Sequence, residues 1–168
     1  WVSHWSNGQL RSKNTYKNGK SEGESVFYLE NGQLEGKGTY KNDKKEGEWV
    51  CYYENGQLES KVTYKNGNEE GEYVSYWMNG HLNVKATFNN GKKEGEDIRY
   101  YDNGQLESKV TYENGEREGE YVSYWMNGHL NVKATFKNGK LEGESLYYDE
   151  DGQFDWKKTH KNGEEISD

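Results

Sequence analysis

The stretch EYVSYWMNGHLNVKATF occupies residues 72–88 and occurs again, letter for letter, at residues 120–136, a shift of 48 residues. A shorter period lies within the long one, because turn glycines recur every 24 residues, at Gly8, Gly32, Gly56, Gly80, Gly104, Gly128 and Gly152. A fixed period of this length is typical of repeat proteins, in which each unit packs mainly on its neighbours. The sequence therefore predicts a single array over residues 1–168, with seven units at approximately 1–22, 23–46, 47–70, 71–94, 95–118, 119–142 and 143–168.

Each unit reads as two β-strands joined by a turn. In the third unit Val50 and Tyr52 alternate in the way that places side chains on one face of a strand. Asn55-Gly56 follows, and Leu58 opens a second extended run that ends at Tyr64. The chain has no Pro, and no apolar stripe has helical spacing. We therefore predict an all-β protein, an elongated single-layer antiparallel meander of tandem β-hairpin repeats.

The turn permits two registers, which bury different faces of the sheet. A two-residue Asn-Gly turn places Val50 opposite Lys61. A three-residue loop of Glu54-Asn55-Gly56, with the glycine as a left-handed bulge residue, places Val50 opposite Ser60 instead.

We predict the three-residue loop, because it also pairs Tyr52 with Leu58. That register gathers the Val, Tyr, Leu and closing aromatic columns on one face. It sends Lys61, Thr63 and Glu59 to the other face, where charged groups stay hydrated.

Composition indicates a thin, ordered protein with a preference among partners. Only 30% of the residues are hydrophobic, which is too few for a thick core, but 15% are aromatic, and rings bury the most area per residue. The net charge of -8 argues against nucleic acid and against anionic membrane surfaces. Cys51 is the single cysteine, so the compartment cannot be read from disulfides. Because the chain opens at Trp1 without Met, we expect further residues or a signal sequence upstream.

A second aromatic column defines the candidate site. In the predicted register Trp5, Tyr53 and the equivalent rings point the same way as the recurring lysines. Either these rings stack along the array under lysine stems, or they form a strip that binds a partner. In the second case, Trp77→Ala combined with Trp125→Ala abolishes binding and leaves the strands intact. The candidate partner-binding residues are Trp49, Tyr53, Tyr73, Trp77, Tyr101, Tyr121 and Trp125, with Lys61, Lys85, Lys109 and Lys133.

The sequence gives little support to catalysis, to a metal site or to a cofactor. The four histidines, His4, His81, His129 and His160, show no spacing typical of metal ligands. Acidic pairs such as Glu70 and Glu72 recur from unit to unit, whereas a catalytic pair is normally singular. We therefore predict a protein that is not an enzyme.

The unit GEWVCYYENGQLESKVTYKNGNEEG, residues 47–71, resembles the bacterial variant of the MORN repeat, and the resemblance extends from Val2 to about Gly163. It implies an elongated single-layer sheet of successive hairpins. Bacterial proteins that resemble this one are often labelled antitoxin or immunity proteins, and eukaryotic MORN arrays serve as protein-binding scaffolds.

Two function classes follow from these observations. The first is a noncatalytic protein-binding scaffold, whose most concrete version is an immunity or antitoxin protein that binds a basic toxin, since an acidic surface steers basic partners. The alternative is a secreted or surface-associated module that binds cell-wall glycan through exposed Tyr and Trp.

The two ends of the array differ in character. In the last unit Trp156, Lys158 and His160 depart from the pattern, which predicts a polar cap that blunts the edge strand. The first unit has Trp1 and Val2 at its edge, so we expect either a monomer or edge-to-edge association at the N-terminal edge.

Overall fold

The computed structural model describes residues 1–166, which form one antiparallel sheet of 17 strands. The strands are β1 (Val2–His4), β2 (Leu10–Lys17), β3 (Lys20–Tyr28), β4 (Leu34–Lys41), β5 (Lys44–Tyr52), β6 (Leu58–Lys65), β7 (Asn68–Tyr76), β8 (Leu82–Asn89), β9 (Lys92–Lys93), β10 (Gly95–Tyr100), β11 (Leu106–Glu113), β12 (Glu116–Tyr124), β13 (Leu130–Lys137), β14 (Lys140–Leu141), β15 (Gly143–Tyr148), β16 (Phe154–Lys161) and β17 (Glu164–Ile166).

The strands follow one another across the sheet in chain order. β1 pairs with β2, β2 with β3, and the antiparallel meander continues to the pair of β16 and β17. At Glu94 and Glu142 a strand is interrupted, so β9 and β10 both pair with β8, and β14 and β15 both pair with β13. The predicted all-β meander of tandem hairpins is confirmed.

The loop within each hairpin has the predicted form. In the third unit the Tyr53 amide donates to the Gln57 carbonyl at 2.9 Å, and the Gly56 amide donates to the Tyr53 carbonyl at 2.8 Å. Gly56 has φ +81°, the left-handed conformation that glycine adopts without strain. The three-residue loop and its bulge glycine are therefore confirmed.

The predicted register holds only next to that loop. Tyr52 lies opposite Leu58 as expected, but Val50 lies opposite Lys61, and Ser60 lies opposite Cys51. The prediction that Val50 faces Ser60 is wrong, because a second β-bulge leaves the residue between Leu58 and Ser60 unpaired. A bulge of this kind shifts the pairing by one residue and exchanges the two faces beyond it.

The sheet consequently has two faces that differ from those predicted. One, here called the aromatic face, carries Trp49 and Val62, which lie opposite each other, and the closing ring Tyr64. The other, here called the ladder face, carries Val50 and Lys61. Grouping the closing aromatic with the Val column was therefore wrong.

The turn that joins each hairpin to the next is hydrogen-bonded to the start of the hairpin before it. Asn66 and Gly67 have φ of 53° and 89°, the pair of positive values that a type I′ turn needs. The Gly67 amide donates to the Lys45 carbonyl at 2.9 Å, and the Asn66 amide donates to the Glu46 carboxylate at 2.7 Å. The same carboxylate contact joins Glu22 to Asn42, Glu70 to Asn90, Glu94 to Asn114, Glu118 to Asn138 and Glu142 to Asn162.

Buried side chains form a thin line along the aromatic face. Most of them are apolar or small, and they come from successive strands, so each unit packs mainly on its neighbours. The buried residues other than glycine are Ser12, Ser25, Trp49, Val50, Val62, Ser75, Ala86, Asp97, Val110, Ser123, Ala134, Ser145 and His160. Only Val50 in this group belongs to the ladder face.

The two edges of the sheet differ in exposure. Trp1 and Val2, beside the first strand pair, are 79% and 51% exposed. At the other edge β17 pairs only along Thr159–Lys161, and Lys158 forms an ion pair with Glu165 at 2.7 Å. His160 is buried beside Ser145, so the last unit combines polar contacts with the exposed Trp156 ring.

Candidate interaction surface

The aromatic face is built around clusters of rings with cations above them. Trp49 lies edge-on to Tyr40 and Tyr64, with ring centroids 5.0 and 6.4 Å away. The Lys45 ammonium lies 4.5 Å from the centre of the Trp49 ring and 4.8 Å from that of Tyr64. Gly38 faces the indole so closely that a Cβ there would lie 2.1 Å from it, and the ring thus covers bare backbone.

The predicted binding strip is divided between the two faces. Trp49 and Tyr73 both lie opposite Val62 on the aromatic face, and Tyr121 lies opposite Val110 in the equivalent place. Lysines of the predicted strip pair with Val50 and its equivalents on the ladder face; these are Lys61, Lys85, Lys109 and Lys133. The prediction that these rings and these lysines share a face is wrong, again because of the second bulge.

The column of loop rings joins consecutive units through hydrogen bonds. The Trp77 indole N–H donates to the Tyr100 carbonyl at 2.8 Å, and the Tyr53 hydroxyl donates to the Tyr76 carbonyl at 2.7 Å. Trp5, Tyr101 and Trp125 make the same bond to Tyr28, Tyr124 and Tyr148. Trp and Tyr are therefore both suited to this column, because each supplies a donor to the next hairpin.

Burial at this column raises the pKa of the Tyr53 and Tyr101 hydroxyls. The nearby carboxylates of Glu59 and Glu107 raise each pKa further, and so do Tyr73 and Tyr121 respectively.

The lysines of the ladder face are paired with glutamates. Lys61 lies 2.5 Å from the Glu48 carboxylate, and this hydrogen bond raises the pKa of Lys61. Equivalent pairs join Lys85 to Glu72, Lys109 to Glu96, Lys133 to Glu120 and Lys157 to Glu144. Five lysines of this face are therefore already matched by a glutamate within the chain.

Sequence reasoning missed a charged cluster in the fifth unit. Asp97 is 3% exposed and occupies the position that holds Trp49, Tyr73 and Tyr121 in other units. The Lys93 ammonium contacts one carboxylate oxygen of Asp97, and Arg99 Nε contacts the other at 3.1 Å. Alignment of the units would have revealed Asp97 as the one charged residue in a column of rings and serines, which also includes Ser25 and Ser145.

Two exposed methionines were also not predicted from the sequence. Met78 and Met126 lie at equivalent loop positions in the duplicated stretch, and both are more than half exposed. Beside them His81 and His129 place Nδ1 2.7 and 2.8 Å from the backbone carbonyls of the next loop. The histidines thus join neighbouring loops.

Residues 1–166 contain no group of His, Cys, Asp and Glu side chains that could hold a metal ion. Within the same part of the chain there is no helix of the length and apolarity needed to cross a membrane.

An array of β-hairpins joined by ring and carboxylate contacts defines a repeat protein. The family model described as "MORN repeat variant" matches residues 1–18, 21–42, 45–66, 69–90, 93–114 and 117–138, and the chain belongs to this family. The model matches six repeats rather than the seven predicted units. β15 and β16, in the seventh, still pair as a hairpin with the same register shift.

Comparisons with whole proteins add no functional information. No curated protein matches the chain. Among solved structures, a porin-like protein from Bacteroides uniformis ATCC 8492 is similar over 92% of this chain and 91% of that chain, with 11% identity and a TM-score of 0.25. A likeness at this level carries no argument about function.

Proposed function

We propose that this chain is a noncatalytic protein-binding scaffold that presents its aromatic face to a partner protein. The observation that carries the proposal is the single-layer sheet, in which no second layer of residues 1–166 covers the rings of this face. Tyr64, Tyr73 and Tyr121 stay partly exposed there. Partly exposed Tyr and Arg beside polar groups are typical of protein interfaces.

The ladder face suits a partner less well. Five of its lysines are half exposed but already paired with glutamates, as in Lys85 with Glu72 at 3.2 Å. A partner on this face would have to compete with those ion pairs and desolvate them, which costs free energy.

A face-specific crosslinking experiment tests the proposal. Ser60 lies on the aromatic face and Thr63 on the ladder face of the same strand, β6. Each is replaced by cysteine in a Cys51→Ser background and labelled with a benzophenone. The two proteins are exposed to lysate and secreted fraction from the source organism, and crosslinked products are identified by mass spectrometry.

We expect one stoichiometric protein to be crosslinked from position 60 and not from position 63. Crosslinking only from position 63 would place the partner on the ladder face and contradict the assignment. If neither position captures a specific protein, the scaffold function itself is wrong. The immunity or antitoxin role with a basic toxin stays a narrower prediction, supported by the net charge of -8.

One observation favours glycan binding as a second candidate. Trp156 stacks on Tyr147 with ring centroids 3.6 Å apart and planes 12° from parallel, and it is 40% exposed. A ring held flat in this way is suited to stacking on a sugar. Retention of the protein on purified cell-wall material, lost in Trp156→Ala, would support this function over the scaffold.

A further inference from the structure

The fifth unit carries a buried carboxylate where its neighbours carry rings. Asp97 lies opposite Val110, and Tyr121 lies opposite Val110 from the other side. Tyr73 packs in the same way against Val62 and Ala86. A tyrosine at position 97 would therefore continue the column, whereas a buried carboxylate is costly unless it is paired.

Asp97 has more cationic partners than neutralisation requires. The Lys93 ammonium alone would balance its charge, yet Arg99 Nε also donates to Asp97 Oδ1 at 3.1 Å. Because the Nε–H is used, the two terminal nitrogens of Arg99 are left without a hydrogen-bond partner among residues 1–166. The Arg99 side chain is 46% exposed, so this end of the guanidinium is open to solvent.

The surroundings of Arg99 leave room for a ligand. Ser75 and Ser123 hold the equivalent position in the adjacent units, and both are small and buried. The cross-strand neighbours of Arg99 are Ser108 on β11 and Val84 on β8. The side chains around Arg99 are therefore all shorter than the arginine.

A second arginine is held on the same face nearby. The Arg117 guanidinium lies 5.2 Å from the Phe136 ring centre and 5.7 Å from that of Tyr121, and its Nε donates to the Tyr112 hydroxyl at 3.3 Å. It lines a groove of about 500 Å³ that Tyr112 and Phe136 also line. Lys93 stands above Tyr112 from the other side, with its ammonium 5.0 Å from the ring centre.

We infer that Lys93, Arg99 and Arg117 form a docking site for an acidic segment of the partner protein, which presents carboxylates to the two guanidinium groups. The inference rests on the proposed scaffold function and names the chemistry of the partner. Within residues 1–166, Lys93 and Arg99 share the one carboxylate of Asp97 and Arg117 forms no ion pair, although the chain as a whole has a net charge of -8. Among the residues that line the groove, the opposite formal charges of Glu116 and Lys140 cancel.

Arginine is the residue best suited to this task. Its planar fork binds a carboxylate through two parallel N–H groups, and Arg with Tyr is typical of binding hot spots. Asp97 acts here as a positioning residue, since it holds the Nε edge of Arg99 and turns the other edge outward.

Binding of defined peptides tests the site directly. The probe is a fluorescein-labelled peptide of glutamates around one tyrosine, and its affinity is measured by fluorescence anisotropy at low salt. Matched peptides replace every glutamate with glutamine or with lysine. We expect the glutamate peptide to bind the whole chain at least about tenfold more tightly than either control.

The matched control variant removes the same charge from the same unit on the opposite face. Arg99→Ala should weaken binding of the glutamate peptide about tenfold, whereas Lys109→Ala should change it less than about twofold. Lys109 pairs with Glu96 on the ladder face, so its loss removes one positive charge at a different place on the same unit. Circular dichroism confirms that both variants keep their strands.

Asp97→Asn separates positioning from simple charge attraction. Removal of this negative charge strengthens binding of the acidic peptide if charge alone matters, and weakens it if the orientation of Arg99 matters. We expect weaker binding in Asp97→Asn and partial loss in Arg99→Lys, which keeps the charge and loses the fork. Tighter binding in Asp97→Asn would overturn the positioning role.

Equal affinity for the glutamate and glutamine peptides, or equal effects of Arg99→Ala and Lys109→Ala, would overturn the site. Preference for the lysine peptide would overturn it in favour of a basic partner. The crosslinking experiment distinguishes this failure from failure of the scaffold function. If the parent protein and the double variant Arg99→Ala, Arg117→Ala crosslink a partner equally well, the scaffold function is supported and this site is not.

Discussion

Trp77 and Tyr53 occupy the same position of the repeat and make the same kind of hydrogen bond. The indole N–H of one and the hydroxyl of the other each reach a backbone carbonyl of the next hairpin. In the second unit this position holds Leu29, which has no donor to offer. The hydrogen bonds support a structural role for this ring column, whereas its role in partner binding stays a prediction.

Tyr53→Phe measures the contribution of one such bond. The substitution keeps the ring and removes the hydroxyl, leaving the Tyr76 carbonyl without this donor, so we expect a loss of about 1 kcal/mol in the free energy of unfolding. Tyr52→Phe is the control, since the Tyr52 hydroxyl makes no hydrogen bond within residues 1–166. Urea denaturation of both variants provides the measurement, and equal losses would contradict the structural role.

At the scale of the β-hairpin, two bulges of different kinds set the register. The loop bulge was predictable because Gly56 marks it, as the left-handed conformation favours glycine. The second bulge, between Leu58 and Ser60, has no such mark, because a classic bulge uses backbone angles that any residue adopts. This difference explains why the loop was predicted correctly and the faces were not.

The Glu-Gly-Glu stretch that links the hairpins places two carboxylates in different environments. Glu70 accepts the Asn90 backbone N–H at 2.9 Å, whereas Glu72 forms an exposed ion pair with Lys85. Glu70→Ala should therefore cost about 1 kcal/mol, because it strips a turn amide of its acceptor. Glu72→Ala should cost less than about 0.5 kcal/mol, as exposed ion pairs usually do.

Thermal and urea unfolding of these two variants, made side by side, test the assignment. Both remove one negative charge from nearby positions, so a general charge effect would act on them alike. A larger loss of stability in Glu72→Ala than in Glu70→Ala would contradict the structural role of the contact between Glu70 and the turn.

At the scale of the whole molecule, periodicity was sufficient for the architecture and insufficient for the site. The spacing of Gly56 and its equivalents predicted the order of the hairpins, since each unit meets only its neighbours. The site depends on which face a side chain occupies, and a slip of one residue reverses every face beyond it. Lys61 and Trp49 were therefore assigned to one surface although the sheet separates them.

The duplicated stretch gives a test of how far the array behaves as independent units. Trp77 and Trp125 have the same sequence surroundings and make the same bond, to Tyr100 at 2.8 Å and to Tyr148 at 3.0 Å. They lie two units apart, which at about 4.8 Å per strand is about 19 Å. Substitutions at this separation normally add within about 0.5 kcal/mol.

We therefore expect Trp77→Phe and Trp125→Phe each to cost about 1 kcal/mol and the double variant to cost their sum, measured by urea denaturation. The corresponding pair of Ala substitutions removes the rings as well and should cost several kcal/mol, a large part of the stability of a domain of this size. If the Ala pair loses its strands while the Phe pair keeps them, the rings are structural. If instead the Ala pair stays folded and loses its partner, the column belongs to the binding surface after all.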